Sequence, residues 1–430
     1  MAFVTSAAIS APRRAAALGT LTLLYFFNFV DRQIIAILVE PIKADLGLAD
    51  WQLGVVSGVA FAALYATLGI PIARLADRAH RVNIISVAVA LWSAMTAVCG
   101  LAQNFVHLVL ARVGVGVGEA GLTPPAHSLI ADMYPERQRA TALAIYQLGV
   151  PTGALFGLLA GGLIAEAWGW RVAFIAVGLP GVLLALVAKW VIPEPRTTGG
   201  LMPTAAEQPP FIESLALLWR IHTFRQLVLG FALVSFVTFG YNAWLPALLG
   251  RMHGLSTADI ALWLGPVGFV SGVAGTFLGG LACDRLGQRE PRWYAWLLAI
   301  GFAVSIPFLG AVFLAPSATL AIAAYVVPNF LIGMNMGPTF AMAQFVAPEG
   351  LRAMASSILL FFANMIGLGL GPLTVGALSD ALAPSAGAGS LRLALLVVLP
   401  VLAWCALHYL LAGRTLRAEI RATETGETSA

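Results

Sequence analysis

Four charged residues lie inside long apolar runs of this chain: Asp31 and Arg32 in one, Arg112 and Glu119 in another. In water such residues are ordinary. In hydrocarbon each charge costs several kcal/mol, so intramembrane charges face a partner or a watery cavity. The chemistry open to them there is ion pairing, anion binding and proton exchange. The stretch LVLARVGVGVGEAGLTPP at 108–125 sets Arg112 and Glu119 seven residues apart, about two helical turns, so both project from nearly one face of a helix. Glycines 114, 116, 118 and 121 between and beside them admit another backbone at close range.

Composition says why a helix would carry this pattern. The 430 residues are 60% hydrophobic and 10% charged, with a mean hydropathy of +0.88. A soluble chain carries roughly 25% charged residues. A polytopic membrane protein is expected. The three cysteines, Cys99, Cys283 and Cys405, are widely spaced and imply neither a disulfide framework nor a metal site. Neither lysine follows a glycine (Ile42-Lys43, Ala188-Lys189), which excludes a phosphate-cradling Gly-Lys loop. No H-E-x-x-H or G-x-S-x-G motif occurs, the six histidines are scattered, and no soluble segment is large enough to grip nucleic acid. The expectation is a protein that is not an enzyme and needs no cofactor, with the proton as coupling ion. No cleavable signal peptide is expected, because the first apolar run is too long and contains Asp31-Arg32.

About 20 apolar residues cross a bilayer. Twelve candidate spans follow: 16–39, 51–73, 83–102, 106–131, 138–165, 171–192, 224–249, 259–282, 293–314, 317–346, 353–380 and 392–413. An all-α fold of two six-helix bundles is expected, 1–192 and 224–413, joined by a cytoplasmic linker at 193–223 and followed by a tail at 414–430. Within the linker, FIESLALLWRI at 211–221 reads either as a helix on the membrane surface or as the start of span 7. With both termini cytoplasmic, the inside segments hold eighteen Lys and Arg and the outside segments four (Lys43, Arg171, Arg251, Arg392). That asymmetry sets the orientation.

The halves repeat. ARLADRAHR at 73–81 before span 3 matches GLACDRLGQR at 280–289 before span 9, and PERQRATA at 135–142 before span 5 matches PEGLRAMA at 348–355 before span 11. Asp77 and Asp284 are 207 residues apart, Pro135 and Pro348 are 213. A duplicated six-helix unit with a site near the midplane marks alternating-access transporters.

The loop after span 2 resembles the signature Gly-x-Leu-Ala-Asp-Arg-x-Gly-Arg of the major facilitator superfamily. Asp77, Arg78 and Arg81 match it, while Ala73 and His80 replace its glycines. RVGVGVGEAG resembles the superfamily's span 4 motif, and GVPTG at 149–153 its span 5 motif. FVDR in span 1, R-x-x-x-G-x-G-E-A in span 4 and GWRVAF at 169–174 are most similar to the Spinster-type branch, which includes eukaryotic transporters of lysolipids and sphingoid phosphates.

The resemblance implies that spans 1 and 4 face one cavity. Asp31, Arg32, Arg112 and Glu119 then form the proton and substrate coupling site, one carboxylate paired with arginine and the other exchanging a proton; Glu119 ranks first for the proton and Asp31 second. A static salt-bridge network is the alternative. The resemblance also implies a cytoplasmic gate built from Asp77, Arg81, Arg139, Asp284, Arg289 and Arg352. Gly149, Pro151 and Gly153, with Gly371 and Pro372, are candidate helix-bending residues. The second half has no formal charge within its spans, only mild polar residues such as Tyr241, Asn242, Asn329, Asn335 and Thr339 among aromatics. One charged wall and one apolar wall suit an amphipathic anion such as a lysophospholipid, carried by a monomer with membrane lipids around it in a bacterial inner membrane. A small organic anion or an effluxed drug fits the same fold, and a non-transporting sensor is the remote alternative.

Overall fold

The computed structural model describes residues 9–195, 211–348 and 350–425. Among them every regular element is a helix. Ten apolar stretches are long enough to cross a bilayer, and two of these, Arg137–Val191 and Met354–Thr423, each hold two spans. The first stretch divides at Gly169, whose φ of 85° lies in the left-handed region that glycine tolerates. The second turns at the short 3-10 segment Gly387–Gly389. The twelve expected spans are therefore present.

In chain order the helices are α1 (Ala11–Leu46), α2 (Asp50–Ser57), α3 (Val59–Arg78), α4 (Arg81–Cys99), α5 (Phe105–Glu119), α6 (Thr123–Met133), α7 (Glu136–Gln147) and α8 (Gly149–Val191). Then come α9 (Phe211–Arg220), α10 (His222–His253), α11 (Thr257–Gly287), α12 (Trp293–Leu314), α13 (Ala318–Gly333) and α14 (Met336–Val346). The last are α15 (Arg352–Phe362), a π-helical segment (Ala363–Leu370), α16 (Gly371–Ala386), α17 (Ser390–Val398) and α18 (Val401–Thr425). Helix α9 is separate from span 7, since Ile221 takes extended backbone between them. One face of it packs inward: Ser214 and Leu218 are fully buried while Ile212 is exposed.

The chain forms two compact units. Unit 1 is drawn from Met1–Leu48, Val55–Ala206 and Ser256–Gly265; unit 2 from Ala49–Gly54, Glu207–Leu255 and Pro266–Ala430.

In unit 1, α8 presents glycines 149, 153, 157 and 161 at four-residue intervals, one face of a helix. This face meets α1. A Cβ at Gly149 would lie 2.8 Å from Phe26 N, one at Gly157 2.8 Å from Val30 O, and one at Gly153 would run into Phe26 O. Helices without a hydrophobic driving force between them associate through such close backbone packing. The contact fixes the rotation of α1. Phe26, Val30, Gln33 and Ile37 face α8. Asn28, Asp31, Arg32 and Ile35 recur at i, i+3, i+4 and i+7 on the other side.

In unit 2, Gly371 packs against α10, a Cβ there lying 2.5 Å from Phe236 O. Trp244 Nε1 donates to Pro372 O at 2.9 Å. The π-helical turn immediately before Gly371 offsets the ladder where α16 begins.

Unit 2 also holds a buried charge cluster that the sequence reading passed over. Arg251 donates from Nη1 and Nη2 to the two carboxylate oxygens of Asp50, each at 2.7 Å. Ser379 Oγ donates to the same carboxylate at 2.6 Å, and Asp380 accepts from the backbone N–H groups of Asp50 and Trp51 at 3.1 and 2.7 Å. Asp50 is 2% exposed. Helix α18 continues past the expected end of span 12 as far as Thr425. Its Glu419 accepts from the N–H groups of His222 and Thr223, both at 2.9 Å, and so caps α10.

Two variants test this packing. Removing one partner of a buried ion pair costs about 3–5 kcal/mol, so Arg251→Ala unfolds at lower temperature in detergent than wild type. Pairing it with Asp50→Asn recovers part of the loss. Gly153→Leu forces α8 off α1 and costs at least about 1–3 kcal/mol by overpacking, read by the same melting assay. Wild-type melting of both single variants would remove these contacts from the account of stability.

Candidate functional site

The charged residues of α1 and α5 meet inside unit 1. Arg32 Nε donates to Glu119 Oε2 at 2.6 Å, a charge-assisted contact across 87 residues of sequence. The guanidinium of Arg32 lies over three rings, its Cζ 4.3 Å from the centroid of Tyr65, 5.0 Å from Phe29 and 5.1 Å from Phe61. Arg112 shares Phe61 at 5.2 Å and donates from Nε to Val56 O at 3.3 Å. Aromatic faces stabilise cations away from water, so Phe61 serves two arginines at once.

Asp31 is placed differently. Its Oδ2 accepts from Thr96 Oγ1 on α4 at 3.2 Å. Among the described residues it forms no ion pair, whereas Glu119 is paired with Arg32. Asp31, Arg112 and Glu119 are each 1% exposed.

The glycines of α5 make this meeting possible. A Cβ at Gly118 would lie 2.6 Å from Trp92 N on α4, and one at Gly116 would collide with Phe61 O on α3. Each added side chain would push α5, with Arg112 and Glu119, away from a helix that lines the cluster: α4, which carries Thr96, or α3, which carries Phe61 and Tyr65.

The six residues expected at a cytoplasmic gate fall in different settings. The side chain of Asp77 lies outside the described residues; its backbone belongs to α3. Arg81 is wholly buried and bound within unit 1. It donates to Glu194 from its backbone N–H (2.8 Å), from Nε (3.1 Å) and from Nη2 (2.5 Å), and from Nη1 to Ser128 (2.8 Å) and Asp132 (2.6 Å). Arg139 Nη2 donates to Ala131 O at 2.9 Å, and Tyr294 OH donates to Asp284 at 2.8 Å. Arg289 and Arg352 are exposed. Gly149 and Gly371 each stand where a helix resumes after an interruption, with Pro151, Gly153 and Pro372 in the first turns that follow.

The sequence reading did not find Asp50, Glu194, Asn28, Thr96 or Trp92. Glu194 follows the sixth span in a Pro-Glu-Pro tripeptide that reads as linker, and only its burial (8% exposed) shows that it belongs to the bundle. Asn28 carries a legible signal. It stands one helical turn before Asp31 on the same face.

A twelve-span chain with a charge cluster inside one of two units is a polytopic membrane transporter in its architecture. The comparisons with known proteins agree. The model of the Major Facilitator Superfamily matches residues 21–372, and the chain belongs to that superfamily. It is 35% identical over 417 residues to an "MFS-type efflux pump" of Mycolicibacterium smegmatis, covering 95% of each chain. It is 26% identical over 330 residues to the "Probable sphingolipid transporter spinster homolog 2" of Arabidopsis thaliana, covering 74% of this chain and 67% of that protein. Among solved structures it resembles a bacterial homolog to the human lysosomal transporter Spinster, crystallised in an inward-facing and unoccupied conformation. The identity is 34% and the TM-score 0.86, over 96% of this chain and 99% of that one. The protein is a transporter of the Spinster type, not an enzyme.

Arg81→Lys tests the clasp on Glu194. A lysine has no planar fork to serve Glu194, Ser128 and Asp132 together. The expected loss is about 1–3 kcal/mol, seen as earlier melting in detergent. Wild-type melting would show that these bonds contribute nothing net.

Proposed function

We propose that the protein carries an amphipathic anion together with a proton, the anion being of the lysophospholipid or sphingoid phosphate kind. The charge balance of the cluster in unit 1 carries this reading. With Asp31 ionised, two arginines stand beside two carboxylates. With Asp31 protonated, Glu119 still holds Arg32, and Arg112 becomes a cation in excess, bonded only to the Val56 carbonyl among the described residues. A guanidinium fork suits phosphate or carboxylate. An anion at Arg112 and a proton at Asp31 therefore favour each other. The cost of burying an unpaired carboxylate falls away once the proton is bound. This ranks Asp31 above Glu119 as the proton site.

The amphipathic part of the reading draws on unit 2. A groove of about 580 Å³ between α11 and α13 is lined by Pro266, Val267, Val270, Val326, Phe330 and their neighbours. Its one polar lining residue, Ser271, donates to Val267 O at 2.6 Å and accepts from Asn329 Nδ2 at 2.7 Å. A hydrocarbon tail fits such a surface. The name of the Arabidopsis relative points the same way. The eighteen-to-four bias of basic residues supports cytoplasmic termini in a bacterial inner membrane, and the protein would act there as a monomer.

A second reading follows from the name of the mycobacterial relative: efflux of a drug against inward proton flow, with the drug and the proton alternating at Asp31. The direction of proton movement separates the two. Proteoliposomes holding a pH dye are given a fluorescent lysophospholipid and an imposed pH gradient. Anion–proton symport acidifies the lumen as lipid enters, and Asp31→Asn lowers gradient-driven uptake by about tenfold or more. Lumenal alkalinisation on uptake favours antiport. Wild-type gradient-driven uptake in Asp31→Asn rejects the proton role of Asp31.

A further inference from the structure

Six buried polar side-chain atoms around the charge cluster have no hydrogen-bond partner among the described residues. They are Oδ1 and Nδ2 of Asn28, Oδ1 of Asp31, Nε1 of Trp92, Nη1 of Arg112 and Oε1 of Glu119. The residues that carry them are each 1% exposed or less. They come from three helices of unit 1: α1, α4 and α5. The Asn28 amide faces Glu119 and the Trp92 indole faces Asp31, in each case without closing a direct hydrogen bond of ordinary geometry.

One buried orphan of this kind costs about 1–3 kcal/mol. Polar groups inside a packed bundle are satisfied by protein or by ordered water, and a buried water typically serves about three of them. The chemistry of the six atoms selects the partner. Three are acceptors (Asn28 Oδ1, Asp31 Oδ1, Glu119 Oε1) and three are donors (Asn28 Nδ2, Trp92 Nε1, Arg112 Nη1). Water gives and takes hydrogen bonds equally. A metal cation would take the oxygens, leave the three donors orphaned, and sit beside two arginines.

We propose that Asn28 and Trp92 position a small cluster of ordered water between Asp31 and Glu119, and that a proton passes through it from one carboxyl group to the other. The transfer balances without electron movement. The O–H bond of protonated Asp31 breaks as a water takes its proton, and a water gives one to Glu119 Oε1 as the new O–H bond forms. Asp31 is then anionic and Glu119 neutral, which removes the charge that holds Arg32. The water cluster itself is independent of the substrate, whereas the transfer rests on the proton role proposed for Asp31. Asn28 and Trp92 are positioning residues in this scheme.

Other titratable groups near the cluster are Tyr25 on α1, Tyr65 on α3, Cys99 on α4 and Tyr146 on α7. Their ordinary values lie above 8. His127 on α6 stands edge-on to Tyr146, ring centroids 5.5 Å apart. Its ordinary titration falls near neutral pH, so His127→Gln serves as the control.

Infrared difference spectroscopy between alkaline and acidic pH tests the cluster on purified full-length protein with no substrate added. Spectra are taken in D2O and in D2O enriched in oxygen-18. Wild type and His127→Gln are expected to show internal-water O–D bands that move with the oxygen isotope. Asn28→Leu and Trp92→Phe, which keep shape and lose hydrogen-bonding atoms, are expected to lose most of that signal while remaining monodisperse. Absence of isotope-shifted bands in wild type overturns the proposal, as does their full retention in both variants. Bands that respond to replacing potassium by sodium would mean a bound cation and also overturn it.

The transfer is read in proteoliposomes with the fluorescent lysophospholipid. Asn28→Leu is expected to lose about tenfold more of gradient-driven uptake than of lipid exchange at equal pH. Equal losses in both would assign Asn28 a structural role alone. Failure of wild type to move the lipid would count against the proposed function and leave the infrared result standing.

Discussion

A charge within hydrocarbon has no solvent to screen it, and unit 1 is arranged around that constraint. Arg32 receives a carboxylate from α5 and rings from α1 and α3; Arg112 receives a ring and a carbonyl. All of these partners but the Phe29 ring come from another helix, so the charges stay compensated only while the helices keep their register. The glycine faces of α8 and α5 hold that register. They act at backbone distance, where displacement by even one methyl group is felt. The charge cluster and the glycine ladders are thus parts of one device. The first states what must meet, and the second brings it within reach.

The two carboxylates show how far one neighbour can distinguish otherwise similar acids. Asp31 and Glu119 have the same functional group, the same burial and the same neighbourhood. Glu119 has a guanidinium at 2.6 Å and Asp31 a threonine hydroxyl at 3.2 Å. In a medium of low dielectric such a difference in partner weighs heavily on the relative cost of the charged and neutral forms.

Much of the fold was legible in the sequence, for a physical reason. A bilayer demands about 20 apolar residues per crossing and sorts basic residues by side, and both demands leave one-dimensional traces. The four intramembrane charges were legible because lipid makes any charge conspicuous. Which arginine pairs with which carboxylate was not. Arg32 meets Glu119 across 87 positions, and no periodicity links two helices so far apart. Helix α9 was ambiguous because an amphipathic turn and the start of a span look alike over ten residues. Asp50 and Glu194 were passed over for a related reason. An acid at a helix start or in a Pro-rich segment usually meets solvent, and only the packed structure shows each one buried against an arginine.

Those late-arriving acids bear on how the chain is made. Glu194 lies just beyond the sixth span and closes on Arg81. Glu419 lies beyond the twelfth and caps α10 at His222 and Thr223, nearly 200 residues earlier. Synthesis runs from the N-terminus at about 5–20 residues per second, and domains generally fold as units in that order. Unit 1 can fasten its clasp as soon as residue 194 leaves the ribosome, while α10 waits for its cap through the translation of five further spans. During that interval the N–H groups at the head of α10 lack the Glu419 carboxylate. The second half of the chain therefore closes this contact only at its end, through a residue that hydropathy alone would assign to a tail.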